Sequence, residues 1–280
     1  MVTGKIVINF TPTGMLPMKK DTPYVPITTE EIIADVKEAS ELGITMVHLH
    51  VRDENTGMPC YKKGNYAKVI SGIREFSKDL VICVSTSGRL YSEFSKRSDV
   101  LTLEGDLKPD MASLTLSSLN FNRQASINEP DMITGLLNEM NQRGIKPELE
   151  AFDSGMLNYA KYLIKKGLLK PPYYTNLILG NIACAQPNLL HLGMMMNDVP
   201  AGALCSVGGI GDSQLKMNSV AISMGMGVRV GLEDNFWYDR HRTKLARNID
   251  LIERIHRIIK ANDKTVMPSS ELREKLKLGR

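Results

Sequence analysis

Eight short β-rich runs, separated by longer stretches with helical periodicity, are the feature that most limits how this 280-residue chain can fold. The predicted strands lie at 5–10, 46–51, 80–86, 111–116, 147–152, 175–180, 203–209 and 228–234. Glycines and prolines fall mostly in the connections, and the first predicted helix opens with a T-x-x-E capping box at Thr28–Glu31. Strands that alternate with helices in this way predict an α/β protein with parallel strands.

Two architectures are built from such units, and the polar residues along the strands distinguish them. In an open doubly wound sheet, helices cover both faces, so the strands are apolar throughout. In a (β/α)8 TIM barrel, active-site groups lie at the carboxyl ends of the strands, so the inward face can become polar there. Five predicted strands show the pattern expected for a barrel, in which polar and apolar residues alternate. Their polar residues are His48 and His50, Cys83 and Ser85, Ser113 and Thr115, Glu148 and Glu150, and Arg229 and Glu233. We therefore predict a single (β/α)8 TIM barrel domain over residues 1–280, with a C-terminal helical extension.

The segment MVHLHVRD places two histidines at i and i+2 on the second predicted strand. Residues two apart on a strand share a face, so His48 and His50 point together into the barrel. A catalytic zinc site takes three protein ligands and leaves one position open, and Glu233 at the end of the last strand is the best-placed third ligand. The other acidic candidates are Asp234, Glu150 and Glu148. The alternative is a hydrogen-bonded pair of structural imidazoles.

Two charged residues near Glu233 each have two interpretations. Arg229 lies four residues earlier on the same face, and an arginine inside a barrel needs a carboxylate partner. It is therefore either a structural ion-pair partner or a catalytic residue. Asp234, at the junction of strand and loop, is either a general base or an aspartate that caps the next turn.

Two glycine-containing turns follow the third and seventh predicted strands. Ser85-Thr86-Ser87-Gly88 offers hydroxyl and backbone N–H groups to a ligand. Gly208, Gly209 and Gly211 lie near the end of the seventh strand, a region where barrels often bind phosphate, and are predicted to bind a cofactor. Ordinary turn chemistry is the alternative for both segments.

Composition and charge narrow the class of protein. The net charge is +4 with dispersed Lys and Arg, which argues against a nucleic-acid surface and is compatible with small anionic substrates. Four widely spaced cysteines without a CxxC pair, and a start without the pattern of a secretory signal, predict a cytoplasmic protein. The uncharged stretch 171–197 is interrupted by prolines and amides, so we predict no membrane span.

Five segments together resemble the β-keto acid cleavage enzyme family. They are HLHVRD (48–53), VSTSG (84–88), PDMASL (109–114), PELEAFDSG (147–155) and RVGLEDN (229–235). Their order and spacing match the family over almost the whole chain. The resemblance implies a (β/α)8 barrel that assembles as a homotetramer. It also implies that His48, His50 and Glu233 bind Zn²⁺ or another divalent metal.

The same resemblance implies a reaction. Enzymes of this family convert a β-keto acid and acetyl-CoA into acetoacetate and a new CoA thioester. Asp234 would then remove the C2 proton of the keto acid, with Arg229 beside it. The residues assigned to the substrate site are Ser85, Gly88, Ser113 and Glu150, together with Thr115 on the inward face of the fourth strand.

One departure from the family pattern bears on the substrate, and two other functions remain compatible with the sequence. In amino-substrate members, the loop after the first strand carries an acid where this chain has Leu16. We therefore expect a neutral or apolar substrate tail rather than a cationic one. The alternative enzyme is a metal-dependent aldolase or lyase that acts on a keto acid without CoA. The non-enzymatic alternative is a barrel that only binds a metal or ligand.

Overall fold

Residues 4–279 are described by a computed structural model in which eight parallel strands pair in chain order and close into a barrel. The barrel strands are β1 (Ile8–Phe10), β2 (Met46–Leu49), β3 (Val81–Val84), β4 (Met111–Thr115), β5 (Lys146–Ala151), β6 (Tyr174–Leu179), β7 (Leu204–Gly209) and β8 (Gly227–Val230). Pairing of β8 with β1 closes the ring. The predicted (β/α)8 TIM barrel is confirmed, whereas the single-domain boundary stays a prediction.

The helices follow the strands in the alternating order that the sequence predicts. They are α1 (Thr29–Leu42), α2 (Lys63–Phe76), α3 (Phe94–Ser98), α4 (Pro130–Arg143), α5 (Ser154–Lys165), α6 (Leu189–Asp198), α7 (Ser213–Ser223), α8 (Asn248–Ala261) and α9 (Ser269–Leu276). The predicted capping box starts α1, because the Glu31 N–H donates to the Thr28 hydroxyl while the Thr28 N–H donates to the Glu31 carboxylate. Within residues 4–279, none of the helices has the length and apolar character needed to cross a membrane.

Short elements lie outside the barrel. Two-stranded pairs join Lys5–Ile6 to Thr265–Val266, Val51–Arg52 to Pro59–Cys60, and Leu119–Asn120 to Ala125–Ser126. Turns of 3₁₀ helix at Asp99–Thr102 and Gly105–Leu107 connect α3 to β4. The pair at Leu119–Ser126 forms a hairpin directly after β4, which places its side chains beside the barrel mouth.

Alternation along the strands produces two apolar regions. Outward-facing residues such as Val47 and Leu49 belong to the main core, together with buried side chains of the surrounding helices. Residues near the beginnings of the strands form a second cluster inside the barrel, and Leu272 and Leu276 of α9 are fully buried in it. The helix α9 thus closes the N-terminal end of the barrel. The polar interior lies towards the opposite end, where the strands finish.

Two predicted strands differ from the observed ones by more than two residues at one end. The segment 5–10 is divided, since Lys5–Ile6 pairs outside the barrel and only Ile8–Phe10 enters it. The prediction of a strand through 234 is wrong, because β8 ends at Val230. Gly231 approaches the backbone of Thr11 so closely that a Cβ would collide with the Thr11 carbonyl. Glu233 and Asp234 consequently lie on a turn above β8.

Candidate active site

A cavity of about 440 Å³ opens at the carboxyl ends of the strands. Its charged and hydroxyl-bearing lining includes His48, His50, Ser85, Thr115, Glu150, Arg229, Glu233 and Asp234. Its apolar lining consists of Met15, Leu16, Leu119, Phe121, Phe152, Ile178, Ile182 and Ile210. Most of the predicted site residues therefore meet in one cavity, at the end of the barrel where such enzymes place their chemistry.

His48, His50 and Glu233 bring ligand atoms to one point. The Nε2 atoms of the two histidines lie 3.4 Å apart. His50 Nε2 lies 3.3 Å from Glu233 Oε1. One ligand atom from each residue lies within 4.8 Å of the others, so a single ion could contact all three. These are the three residues predicted as metal ligands.

Glu148 lies behind His48 and orients its ring. Glu148 Oε2 is 2.6 Å from His48 Nδ1. The other oxygen, Oε1, accepts hydrogen bonds of 2.6 Å from the amides of Asn9 and Asn176. Burial lowers the pKa of His48, but the Glu148 carboxylate outweighs burial and raises that pKa to about 9. A bound metal would displace the Nε2 proton of this imidazolium, while Nδ1 keeps its hydrogen bond to Glu148, as is usual for metal-binding histidines.

The surroundings of His48, His50 and Glu233 fit a bound cation. Glu233 Oε2 is buried and has no hydrogen-bond partner among residues 4–279, which is costly for a carboxylate oxygen. Burial lowers the pKa of His50 and so favours the neutral imidazole that a metal needs. Burial opposes ionisation of Glu233, but Arg229 and the histidines hold its pKa well below the usual range. Two imidazoles and a carboxylate form a common zinc donor set.

Arg229 joins three carboxylates at the base of the cavity. Its Nε donates to Asp234 Oδ2 at 2.9 Å, and its Nη2 donates to Glu233 Oε1 at 2.6 Å. Its Nη1 lies 3.4 Å from Glu150 Oε1. Burial raises the pKa of Asp234 although Arg229 opposes the shift, so this carboxylate binds a proton more readily than an exposed aspartate. The geometry thus combines a buried ion-pair network with a carboxylate suited to general base chemistry.

The residues assigned to the substrate site divide into two groups. Ser85, Thr115 and Glu150 line the cavity, and the Thr115 hydroxyl donates to Glu150 Oε2 at 2.8 Å. Ser113 instead supports the loop after β3, because its hydroxyl accepts from the Thr86 N–H at 3.1 Å. Gly88 has the same supporting role. A Cβ there would meet the Ile127 carbonyl and the Arg97 guanidinium, so glycine permits close packing beside the cavity.

Two of the three glycines predicted to bind a cofactor lie against Arg229 or Asp234. A Cβ on Gly208 would lie 3.2 Å from the Arg229 side chain, so this glycine makes room for the arginine. Gly209 packs closely against the backbone of Ser213 at the start of α7. The Gly211 N–H donates to the Asp234 carbonyl at 2.8 Å and fixes that turn. Cofactor binding by these glycines stays a prediction.

Four residues of the site were not identified from the sequence. Asn9 and Asn176 occupy inward positions on β1 and β6, where the alternation that found the histidines could have found them. Arg52 donates hydrogen bonds to the Gly14 and Pro17 carbonyls of the loop after β1. Arg89 lines the cavity, but its direction depends on a ring contributed by another loop, so no local pattern predicts it.

The fold and the cavity define a (β/α)8 barrel enzyme with a buried Arg229–Asp234 ion pair beside three potential metal ligands. The chain belongs to the β-keto acid cleavage enzyme family, whose sequence profile matches residues 5–278. The predicted family and the predicted type of enzyme are confirmed.

Named relatives extend this assignment. A Fusobacterium nucleatum subsp. nucleatum protein named 3-keto-5-aminohexanoate cleavage enzyme is 33% identical over 276 residues, covering 98% of each chain. A Cupriavidus necator protein named 3-oxoadipate:acetyl-CoA acetyltransferase is 34% identical over 258 residues, covering 91% of this chain and 88% of its own. The binary complex of ObcA with oxaloacetate superposes with a TM-score of 0.82 and 20% identity, covering 92% of this chain and 68% of its own. That structure supports the fold alone.

Proposed function

We propose that this protein cleaves a β-keto acid with acetyl-CoA, giving acetoacetate and the CoA thioester of the remaining acyl group. The observation that carries the proposal is the Arg229–Asp234 pair, joined at 2.9 Å beside His48, His50 and Glu233 in one cavity. Family membership supports cleavage of a β-keto acid. The name of the Cupriavidus relative supports acetyl-CoA as the co-substrate.

The metal in this proposal is Zn²⁺ held by His48, His50 and Glu233, although the same donors accept other divalent ions. The unpartnered Glu233 Oε2 and the lowered pKa of His50 support this ligand set. When bound, the ion would polarise the 3-keto oxygen of the substrate and so favour loss of the C2 proton.

Asp234 acts as the base in this mechanism. It takes the C2 proton of the keto acid, while the Nε of Arg229 holds the carboxylate in place. The C2 electron pair forms a bond to the acetyl carbonyl carbon of acetyl-CoA, and CoA leaves as the thiolate. The thiolate then adds to the C3 carbonyl carbon. Cleavage of the C2–C3 bond releases the acyl-CoA, and the proton held by Asp234 returns to C2 to give acetoacetate.

Ser85, Thr115 and Glu150 are proposed to contact the substrate directly, since they line the cavity. Ser113 and Gly88 are proposed to act indirectly, by supporting the loop that carries Ser85. Gly208, Gly209 and Gly211 retain the cofactor-binding role only as a proposal. Their described contacts support Arg229 and Asp234.

The working state in this proposal is a cytoplasmic homotetramer without nucleic-acid or membrane partners. All four cysteines are free thiols, which is compatible with a reducing compartment. Leu189, Leu190 and Met194 on α6 are exposed apolar residues, and such a surface suits contact between copies of the chain. Sedimentation analysis would measure the assembly directly.

The test measures acetoacetate release from a panel of β-keto acids, with and without acetyl-CoA, on zinc-loaded protein. Release that requires acetyl-CoA is the expected result. Cleavage that is independent of acetyl-CoA would instead identify the aldolase or lyase. His50→Ala is expected to lose metal and activity together, whereas His241→Ala, on an exposed segment, should keep both. Stoichiometric zinc in the His50 variant would contradict the ligand assignment.

A further inference from the structure

Arg89 is a cation in the cavity wall that forms no ion pair among residues 4–279, and the Glu233 carboxylate acts on it only at longer range. It follows the Ser85–Gly88 turn, is half-buried, and its guanidinium lies 3.7 Å from the centre of the Phe121 ring. Its Nε is buried without a hydrogen-bond partner, and no ion pair holds the guanidinium among residues 4–279. Burial lowers the pKa of Arg89, so its position costs free energy in the ligand-free protein.

Three of the four other arginines that are buried among residues 4–279 show how this chain places such groups. Arg229 contacts three carboxylates. Arg97 donates to the carbonyls of Thr86 and Ile127 and to the Asn128 amide oxygen. Arg52 donates to three backbone carbonyls. Each is satisfied by the protein itself, so the free donors of Arg89 are best explained by a ligand that supplies the acceptor.

The position of Arg89 determines which part of a substrate it can reach. Its guanidinium rests on Phe121 of the hairpin after β4, and that ring packs edge-on against Phe152 at the end of β5, with centroids 6.0 Å apart. In a closed ring of eight strands, β5 lies opposite β1. The potential metal ligands come from β2 and the turn after β8, on either side of β1. The Arg89 guanidinium therefore lies on the Phe121 and Phe152 side of the cavity, within electrostatic range of Glu233.

We propose that Arg89 selects the substrate by binding a second carboxylate at the distal end of the β-keto acid. This inference rests on the proposed function and narrows its substrate to a keto diacid. Only C2 separates the C1 carboxylate from the 3-keto carbon, so the C1 carboxylate stays on the side of His48, His50 and Glu233. Only a distal group can extend towards Phe121 and Arg89. A planar guanidinium held flat by an aromatic ring is well suited to bind a carboxylate with two hydrogen bonds.

The proposed substrate differs from the one expected from Leu16 alone. Leu16 removes an acid that would repel an anionic tail, and Arg89 adds a cation that attracts one. Leu119 and Phe121 are apolar side chains close to Arg89. They would line the carbon chain between the two carboxylates of the substrate and exclude water from it. Exclusion of water strengthens the interaction between a carboxylate and a guanidinium.

The experiment compares two keto acids that differ only at the distal carbon, 3-oxohexanedioate and 3-oxohexanoate, at saturating acetyl-CoA. The unaltered enzyme should prefer the diacid by roughly 100-fold in kcat/KM. Arg89→Met removes the guanidinium but keeps an unbranched side chain, and it should lower kcat/KM for the diacid by roughly 100-fold while changing the monoacid little. Arg123→Met is the matched control, because Arg123 is exposed on the same hairpin and should affect neither substrate.

Several outcomes would overturn the inference. Equal losses for both keto acids in Arg89→Met would assign Arg89 to the C1 carboxylate, and a raised KM for acetyl-CoA alone would assign it to the phosphates of CoA. A preference of the unaltered enzyme for the monoacid would exclude the diacid directly. Thermal unfolding checks that the variant is folded, and Arg89→Gln replaces it if it is not.

Binding without turnover separates this inference from the proposed function. Calorimetry with hexanedioate and hexanoate on zinc-loaded protein needs no reaction. Tighter binding of hexanedioate that disappears in Arg89→Met would support the distal site even if neither keto acid is cleaved. Cleavage of 3-oxohexanoate alone, with equal binding of the two saturated acids, would keep the proposed function and refute the role of Arg89.

Discussion

Three carboxylates share one guanidinium at the centre of the cavity. Asp234, Glu233 and Glu150 all contact Arg229, so the ionised cluster has more negative than positive charge. In a largely buried position such an excess is unfavourable, and a divalent cation beside Glu233 would offset it. Arg229 thereby links the base to the potential metal ligand, since the same side chain fixes the position of both carboxylates.

Asp234→Asn tests the role of the base. The amide keeps the shape of the side chain but cannot take a proton, so kcat should fall by about 10³-fold. Metal content should equal that of the unaltered protein, because His48, His50 and Glu233 are intact. Asp131→Asn, on the exposed first turn of α4, should leave the rate unchanged. A nearly normal rate in the Asp234 variant, measured as acetoacetate release, would place the base elsewhere.

Strand alternation predicts the face on which a side chain lies but not its depth. It placed His48 and His50 correctly on one inward face. It also made Glu148 a candidate ligand; Glu148 lies deeper, 2.6 Å from His48, where it forms a second group of possible ligands with His48 and Cys83. Arg89 could not be assigned at all, because its orientation depends on Phe121, which is brought near only by folding. Contacts between distant loops have no signature in a local sequence pattern.

The loop between β1 and α1 is held in place by one arginine. Arg52 Nε donates to the Gly14 carbonyl at 3.0 Å, and its Nη2 donates to the Pro17 carbonyl at 3.1 Å. A Cβ on Gly14 would collide with the Glu233 side chain, so this loop packs directly against the potential metal ligand. Arg52 therefore acts as a positioning residue for Glu233 through the loop.

Arg52→Met should loosen this loop. It removes hydrogen bonds to the carbonyls of Gly14, Pro17 and Gly57, so the free energy of unfolding should fall by about 2–3 kcal/mol. Urea unfolding measures that loss, and trypsin should cleave faster at Lys19 and Lys20 in the same loop.

Arg240→Met, at an exposed position, is the control for that variant and should change neither property. Unchanged proteolysis in the Arg52 variant would mean that the loop is held by other contacts. A loss of stability with unchanged cleavage at Lys19 and Lys20 would assign Arg52 to the core rather than to the loop.

The order of elements was predictable from the sequence, but the ends of two strands were not. Helical and strand periodicities are local, so they gave eight alternating units and the start of α1. The end of β8 depends on the close approach of Gly231 to Thr11, which directly follows β1 and lies more than two hundred residues earlier in the sequence. That contact turns the chain at Gly231 and brings Glu233 and Asp234 over the cavity.

The helices α1 and α8 meet through a half-buried carboxyl group. Asn248, at the start of α8, donates to Asp35 Oδ2 on α1 at 2.7 Å and to the Pro12 carbonyl at 3.0 Å. Burial raises the pKa of Asp35 to about 6, although the hydrogen bond from Asn248 opposes the shift. The junction that closes the ring of helices is thus sensitive to pH.

Asp35→Asn tests that sensitivity. Between about pH 4 and 6 the folded protein binds a proton at Asp35 that the unfolded chain does not, so this residue adds stability as pH falls through that window and loses it as pH rises. The variant should be more stable than the unaltered protein by about 2 kcal/mol above pH 7, and equally stable near pH 4. Urea unfolding at several pH values measures the difference, with Glu41→Gln on α1 as control. A difference that is independent of pH would contradict an Asp35 pKa near 6.

Packing at the N-terminal end of the barrel should contribute to stability without affecting catalysis at the opposite end. Leu272 of α9 is fully buried among Met46, Met111 and Tyr174 at the N-terminal end, away from the cavity. Leu272→Ala should lower the free energy of unfolding by about 2–4 kcal/mol through the space it leaves, while kcat/KM of the folded enzyme stays within roughly twofold. Leu42→Ala, at an exposed position on α1, should change neither. A large loss of kcat/KM in Leu272→Ala would mean that the packing of the N-terminal end sets the geometry of His48 and Glu148, which lie directly above that cluster on β2 and β5.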